Sequence, residues 1–208
     1  MRRLDPGAVA GVEVRVVARC PSTNSALLAE CPAHRVLLVA ETQSAGRGRR
    51  GRRWLSAPRG AALTFSLAAP VKRPLRDLPP LAPAIGIALA AALRAAGVRR
   101  VGVKWPNDLM VDGAKLGGIL IETRSAHGGT CAVIGVGINF ATAPALRRRV
   151  ACVADFVRTD RNALLRACVV ALVGAVDRFE RSGFAPFARE WARFDEPRSG
   201  RAYAEALA

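Results

Sequence analysis

VRRVGVKWPNDLMVDGAKLGGILIE, residues 98–122, sets apolar runs against turn chemistry in the manner of paired strands. Residues 98–104 read as one strand. After the break at Pro106-Asn107-Asp108, residues 109–111 and 119–122 read as a hairpin turned on Asp112-Gly113, because Asp-Gly tolerates the left-handed backbone of a tight two-residue turn. Downstream, residues 130–138 form one more strand. Upstream, residues 12–17, 35–41 and 61–68 read the same way; Val36-Leu37-Leu38-Val39 is the near-continuous apolar run of a buried strand. Ser22 offers an N-cap to a short helix over 25–30. An alanine-rich helix over 81–96 follows Pro79-Pro80 and closes at Gly97, and two more helices cover about 161–181 and 184–194. No internal repeat is present. Strands that arrive together, with helices segregated around them, predict an α+β fold: a mixed, mainly antiparallel sheet with helices packed around it.

The 208 residues are 51% hydrophobic and 23% charged, the balance of an ordinary globular protein. A chain this long buries roughly 70% of its unfolded surface and needs no disulfide or metal to hold a core. The five cysteines are odd in number, widely spaced and without a Cys-x-x-Cys pair, which excludes zinc-ribbon and thioredoxin motifs and fits free thiols in a reducing cytosol. Residues 1–6 lack the apolar stretch of a signal peptide. The runs 81–93 and 167–176 fall short of the ~20 apolar residues of a membrane span, so a cytoplasmic protein is expected. The net charge of +16 comes from 29 arginines and three lysines, Lys72, Lys104 and Lys115. Such basicity suits nucleic acid or an acidic partner, and arginine beside abundant alanine equally suits a GC-rich coding bias. Charge alone does not decide.

Chemistry concentrates in a few motifs. Residues 41–54, ETQSAGRGRRGRRW, space their glycines G-x-G-x-x-G. A dinucleotide fingerprint would open a helix here, which Pro58 opposes; no Gly-Lys-Ser/Thr marks a Walker loop, and the kinase signatures are missing. What remains is physical: glycine lets backbone approach an anion, and arginine supplies fork-shaped donors for phosphate or carboxylate. A solvated basic loop that binds RNA has the same composition. Next, Lys104-Trp105-Pro106-Asn107-Asp108 and Lys115-Leu116-Gly117-Gly118 place two of the three lysines within 12 residues. Lys115 can point into a cleft or stand exposed at a strand end. Taken singly, Ser22-Thr23-Asn24 is a helix cap, and Gly135-Val136-Gly137-Ile138-Asn139 a tight turn.

In this order, the four motifs resemble the central domain of biotin–protein ligases. The match runs over about 14–140, and over 160–195 in helical pattern only. The resemblance implies a class II synthetase-like catalytic domain and an ATP-dependent ligase. Biotin is activated to biotinyl-5′-AMP, then passed to a lysine of a biotin carboxyl carrier domain, with ATP, biotin and Mg²⁺ as cofactors and no dedicated metal cage. It also implies roles: Lys115 bridging the biotin carboxylate and the α-phosphate, Arg47 and Arg49 over the adenylate, and Gly46 and Gly48 allowing the loop to close. Ser22, Thr23 and Gln43, with Asn24 in the same motif, would hold the ureido ring. Gly117 and Gly118 would let the wall approach it, Asn139 would touch the adenylate, and Trp54, Trp105 and Asn107 would support. About 20 residues precede Ser22, too few for the helix-turn-helix domain of repressor-type members. The expected division is a catalytic domain over 1–195, with 196–208 a remnant of, or linker to, a C-terminal β-barrel module. Two alternatives stand beside this reading. One is a lipoate–protein ligase, for which Gly-Asn-Asp is expected in place of 105–108; the other is a catalytically impaired, basic nucleic-acid-binding protein.

Overall fold

The apolar runs assemble into one seven-stranded sheet. The computed structural model describes residues 3–55, 58–126, 128–141 and 149–196. Its strands are β1 (Glu13–Cys20), β2 (Val36–Gln43), β3 (Ala62–Val71), β4 (Val101–Lys104), β5 (Asp108–Val111), β6 (Ala114–Ala126) and β7 (Gly129–Asn139). The helices are α1 (Thr23–Glu30), α2 (Leu81–Ala95), α3 (Arg161–Ser182) and α4 (Ala185–Trp191). Across the sheet the order is β1-β2-β3-β7-β6-β5-β4. Only β1 and β2 run parallel, because α1 carries the chain from one to the other; the remaining pairs are antiparallel. This is the mixed, mainly antiparallel α+β sheet that the sequence predicts.

One face is covered by α2 and α3. Leu81, Ile85 and Leu89 of α2, spaced four apart, and Leu165, Leu172 and Phe179 of α3 are fully buried there with Leu37, Val39, Phe65, Leu67 and Ile134. Each such side chain contributes ~1.5–3 kcal/mol by leaving water. The other face carries a smaller cluster where α1 lays Leu27 and Cys31 on Val36, Leu38, Ala68 and Val133. The rest of that face is left open for a site.

Several boundaries differ from the sequence expectation for local reasons. α1 begins at Thr23, directly after its cap, since Ser22 Oγ accepts from the Ser25 amide. The strand expected from 98 begins at Val101: the Gly97 and Val98 amides donate to Arg94 and Leu93 carbonyls in a Schellman closure of α2, with Gly97 at φ 108°. The last helix stops at Trp191 because the chain turns onto the β4 edge, where Val103 N donates to Phe194 O (2.6 Å) and Glu196 N to Val103 O (3.1 Å). The hairpin turn is as expected, with Asp112 at φ 49° and Gly113 at φ 72°. Residues 135–139 are not a turn but the interior and end of β7. Of the segment expected to lead to a further module, 197–208 lies outside the described residues. Among the described residues no helix is long and apolar enough to cross a membrane. Among the described residues no disulfide joins any of the five cysteines, and burial pushes the Cys168 thiol up to about 12, so it stays protonated in the core.

A buried ion pair ties the distal pieces together. Arg161, at the start of α3, donates through both terminal nitrogens to Glu41 of β2 (3.0 and 3.1 Å), and Glu41 Oε1 also accepts the Leu4 amide. The side chains are 7% and 1% exposed, so an unpaired Glu41 would be a stranded charge. Arg161→Met is expected to cost about 3–5 kcal/mol in urea unfolding. A loss below ~1 kcal/mol would show that the pair is dispensable.

Candidate active site

Two strand positions without side chains make room for the site. Gly135 and Gly137 project toward the α1 side of β7. A β-carbon at 135 would lie 2.1 Å from Asn24 Oδ1, and one at 137 would lie 2.5 Å from Trp54 Cε2. The start of α1 and the Trp54 ring therefore rest directly on the strand. Gly118 of β6 pairs with Gly137, extending the bare floor. A cavity of about 580 Å³ opens above it, walled by Ser22, Thr23, Asn24 and Gln43 on one side and by the 47–54 loop, 104–108 and Lys115 on the other.

The loop is already folded over this cavity. Gly48 N donates to Arg52 O and Trp54 N to Gly46 O, making a small hairpin whose tip holds Arg50 at φ 56° and Gly51 at φ 71°. Arg47 pairs with Glu122 Oε1 (2.8 Å) and reaches Ser25 Oγ (3.3 Å); Arg49 donates to Asn107 Oδ1 (2.8 Å), and Asn107 Nδ2 to Ile119 O (3.0 Å). Asn107 and Glu122 thus fasten the loop to β6. Lys115, 14% exposed, crosses Gly118 and donates to Asp108 Oδ1 at 2.5 Å. Among the described residues, seven cationic side chains (Arg47, Arg49, Arg50, Arg52, Arg53, Lys104, Lys115) line the cavity with a single carboxylate, Asp108. Such an excess favours an anion.

The opposite wall is neutral and polar. Thr23 N donates to Gln43 Oε1 (2.7 Å), and Ser22 Oγ, occupied as an acceptor by the α1 cap, keeps its own proton to donate. Among the described residues Trp54 Nε1 is buried without a hydrogen-bond partner, a donor that a bound molecule can satisfy. The cavity therefore offers uncharged donors and acceptors at one end and cations at the other.

Of the residues expected from sequence, Ser22, Thr23, Asn24, Gln43, Arg47, Gly48, Arg49, Lys115 and Gly118 meet on its wall. Gly46, Gly117 and Asn139 do not, and packing explains them: a β-carbon at Gly46 would press on Trp54 O (2.5 Å), and one at Gly117 on Gly137 O (2.6 Å). Asn139 is buried with its amide on Ala151 O (3.0 Å) and Lys115 O (3.4 Å), so it pins the returning chain to β6 rather than facing the cavity. Sequence reasoning missed Ser66 and Glu122. A hydroxyl in the apolar run of β3 was the available signal for Ser66, since a buried hydroxyl must find a partner. Asp108 read as a turn residue, and only the fold brings it to Lys115.

The sequence pattern of the biotin/lipoate A/B protein ligase family matches residues 16–139. The chain belongs to that family. It is 36% identical over 201 residues to the bifunctional ligase/repressor BirA of Escherichia coli, covering 91% of this chain and 61% of that protein. It is 37% identical over 139 residues to a biotin–[acetyl-CoA-carboxylase] ligase of Mycobacterium tuberculosis, covering 64% of this chain and 51% of the relative. Thus the chain spans between about half and three-fifths of these curated relatives. Among solved structures, the biotin protein ligase from Aquifex aeolicus in complex with biotin and ATP superposes with a TM-score of 0.71 at 26% identity, over 84% of this chain and 75% of that one. The catalytic-domain fold of the family is therefore the fold found here.

The glycine floor yields a direct test. Gly135→Ala must displace Asn24 and α1, and is expected to cost about 1–3 kcal/mol in denaturant unfolding. Unchanged stability would mean that the close approach of Asn24 is not a constraint.

Proposed function

We propose that this chain is the catalytic part of a biotin–protein ligase. It activates biotin with ATP to biotinyl-5′-AMP and passes biotin to a lysine of a biotin carboxyl carrier domain. The observation that carries this is the division of one cavity into a neutral hydrogen-bonding wall and a cationic rim. Biotin has the same division: a neutral ureido ring that needs donors and acceptors, and a carboxylate at the end of an apolar chain. The relatives named above, and the neighbour bound to biotin and ATP, support the reading.

In the first step the biotin carboxylate oxygen attacks the α-phosphorus of ATP, and pyrophosphate leaves. Both reactants are anions, so the barrier falls when cations sit where they meet. Lys115 is held for this by Asp108, and Arg47 and Arg49 are held by Glu122 and Asn107. In the second step the acceptor amine attacks the carbonyl carbon and AMP leaves. No nucleophilic side chain is needed; placement and charge suffice. Among the described residues no group of three His, Cys, Asp or Glu could cage a metal. Mg²⁺ would enter with the phosphates as part of the nucleotide substrate. The ureido-binding role goes to Ser22, Thr23 and Gln43. In this reading the catalytic unit spans residues 1–195, and a cytoplasmic location suits five cysteines that form no disulfide among the described residues.

Lipoate lacks a ureido ring and would leave the polar wall unpaired, which disfavours it. The test is ATP–pyrophosphate exchange with biotin and lipoate side by side. Exchange with biotin is expected, and Lys115→Ala should slow it about 10²–10³-fold without altering the unfolding midpoint. Exchange with lipoate alone would overturn the substrate, and a wild-type rate in Lys115→Ala would remove that lysine from the chemistry.

A further inference from the structure

We propose that Trp191 is a positioning residue: with residues 194–196 it braces the end of β4 from behind, and so sets where Lys104 enters the cavity. Lys104 lines that cavity with Lys115. The inference rests on the ligase reading for the anion that Lys104 meets, the phosphates of ATP.

β4 ends the sheet and is only four residues long, so within the sheet β5 alone holds it. An uncovered edge strand leaves its outer donors and acceptors open. Here the chain that leaves α4 covers them. Trp191 O accepts the Phe194 and Asp195 amides (both 2.8 Å), which turns the chain back onto the sheet. Val103 N then donates to Phe194 O (2.6 Å), and Val103 O accepts the Glu196 amide (3.1 Å). Gly102 permits the approach, since a β-carbon there would lie 2.9 Å from Phe194 O and 3.3 Å from Glu196 Oε2. Arg94 of α2 lies over the Phe194 ring at 4.3 Å and donates to Val101 O (2.7 Å), so the covering segment is tied to the helix layer as well.

The brace meets the cavity just beyond Val103. Trp191 is 3% exposed, and its ring stands edge-to-face with that of Trp105, centroids 5.5 Å apart and planes at 80°. Trp105 lines the cavity, as Lys104 does. Lys104 therefore lies between two fastened neighbours, Val103 on the 194–196 segment and Trp105 on Trp191. Its side chain is itself exposed, and a long, flexible ammonium side chain reaches only where its backbone aims it. That aim is set by residues 191–196, which lie outside the 16–139 stretch that matches the family pattern.

The readout is a double-mutant cycle on kcat/KM for magnesium–ATP in biotin-dependent ATP–pyrophosphate exchange. Lys104→Ala should lower it about tenfold to hundredfold, and Trp191→Leu about tenfold, because a cation missing or misplaced by an ångström loses the reacting geometry. Trp191→Phe keeps a ring against Trp105 and should recover most of that loss. Trp191→Leu combined with Lys104→Ala should match Lys104→Ala alone within about twofold, since the brace then has no lysine to aim. Biotin affinity by titration calorimetry should stay within about twofold in every variant, because Ser22, Thr23 and Gln43 stand on the opposite wall. Core damage alone would weaken biotin too, and would multiply with the loss of the lysine. If Trp191→Leu does not fold, Glu196→Pro takes its place in the cycle, for it removes only the amide on Val103 O. Losses that multiply in the cycle, or full activity in Lys104→Ala, overturn this proposal by itself. A parent without exchange overturns the ligase reading, and this proposal with it.

Discussion

At Gly135 and Gly137 the backbone of β7 comes within contact of Asn24 and the Trp54 ring, closer than any β-carbon would permit. That approach sets the depth of the cavity and the position of its two walls. α1 can lay its first turn on the sheet only because residue 135 has no side chain, and its cap then sets Ser22 and Thr23 at the wall. Trp54 can cover residue 137 only because that residue is also bare, and the loop that precedes the indole is folded back over the floor. The neutral wall and the cationic rim therefore depend on the same few ångströms of strand.

Charge placement follows from the frame. Arginines in an open loop would be solvated and would attract any polyanion. Here Arg47 and Arg49 are fastened to Glu122 and Asn107, so their forks are aimed before a ligand arrives, and less ordering remains to be done at the moment of reaction. Lys115 is similarly aimed by Asp108. The basic surface beyond the cavity is a separate matter, and its long-range pull is screened over about 10 Å at 0.1 M salt.

Most of the sheet was legible in sequence because its cues are local. The four apolar residues from Val36, the Asp112-Gly113 turn and the Gly97 closure each act within a few positions. Boundaries slipped where a tertiary contact intervened, as at Phe194, which leaves its helix to bond the β4 edge. Nine of the motif residues meet at one cavity while Gly46, Gly117 and Asn139 stand outside its wall, and the contacts that hold the nine did not show in sequence. Asp108 is seven positions from Lys115 and looks like a turn residue. Ser66 and Glu122 lie 42 and 98 positions from Asn24, and no spacing in one sequence connects them. Gly135-x-Gly137 looked like a turn because glycine marks turns more often than it marks a strand on which something else must rest.

The central claim is that a carboxylate oxygen of biotin becomes bonded to the α-phosphorus in this cavity. Isotope transfer tests it most directly. Biotin labelled with ¹⁸O in both carboxylate oxygens is incubated with the protein, magnesium–ATP and hydroxylamine as a small acceptor, and the nucleotide product is examined by mass spectrometry. Attack on the α-phosphorus followed by acyl transfer leaves the bridging oxygen on the nucleotide, so AMP carrying one ¹⁸O is predicted, with unlabelled pyrophosphate. Unlabelled AMP, or label appearing in inorganic phosphate, would contradict the adenylate route.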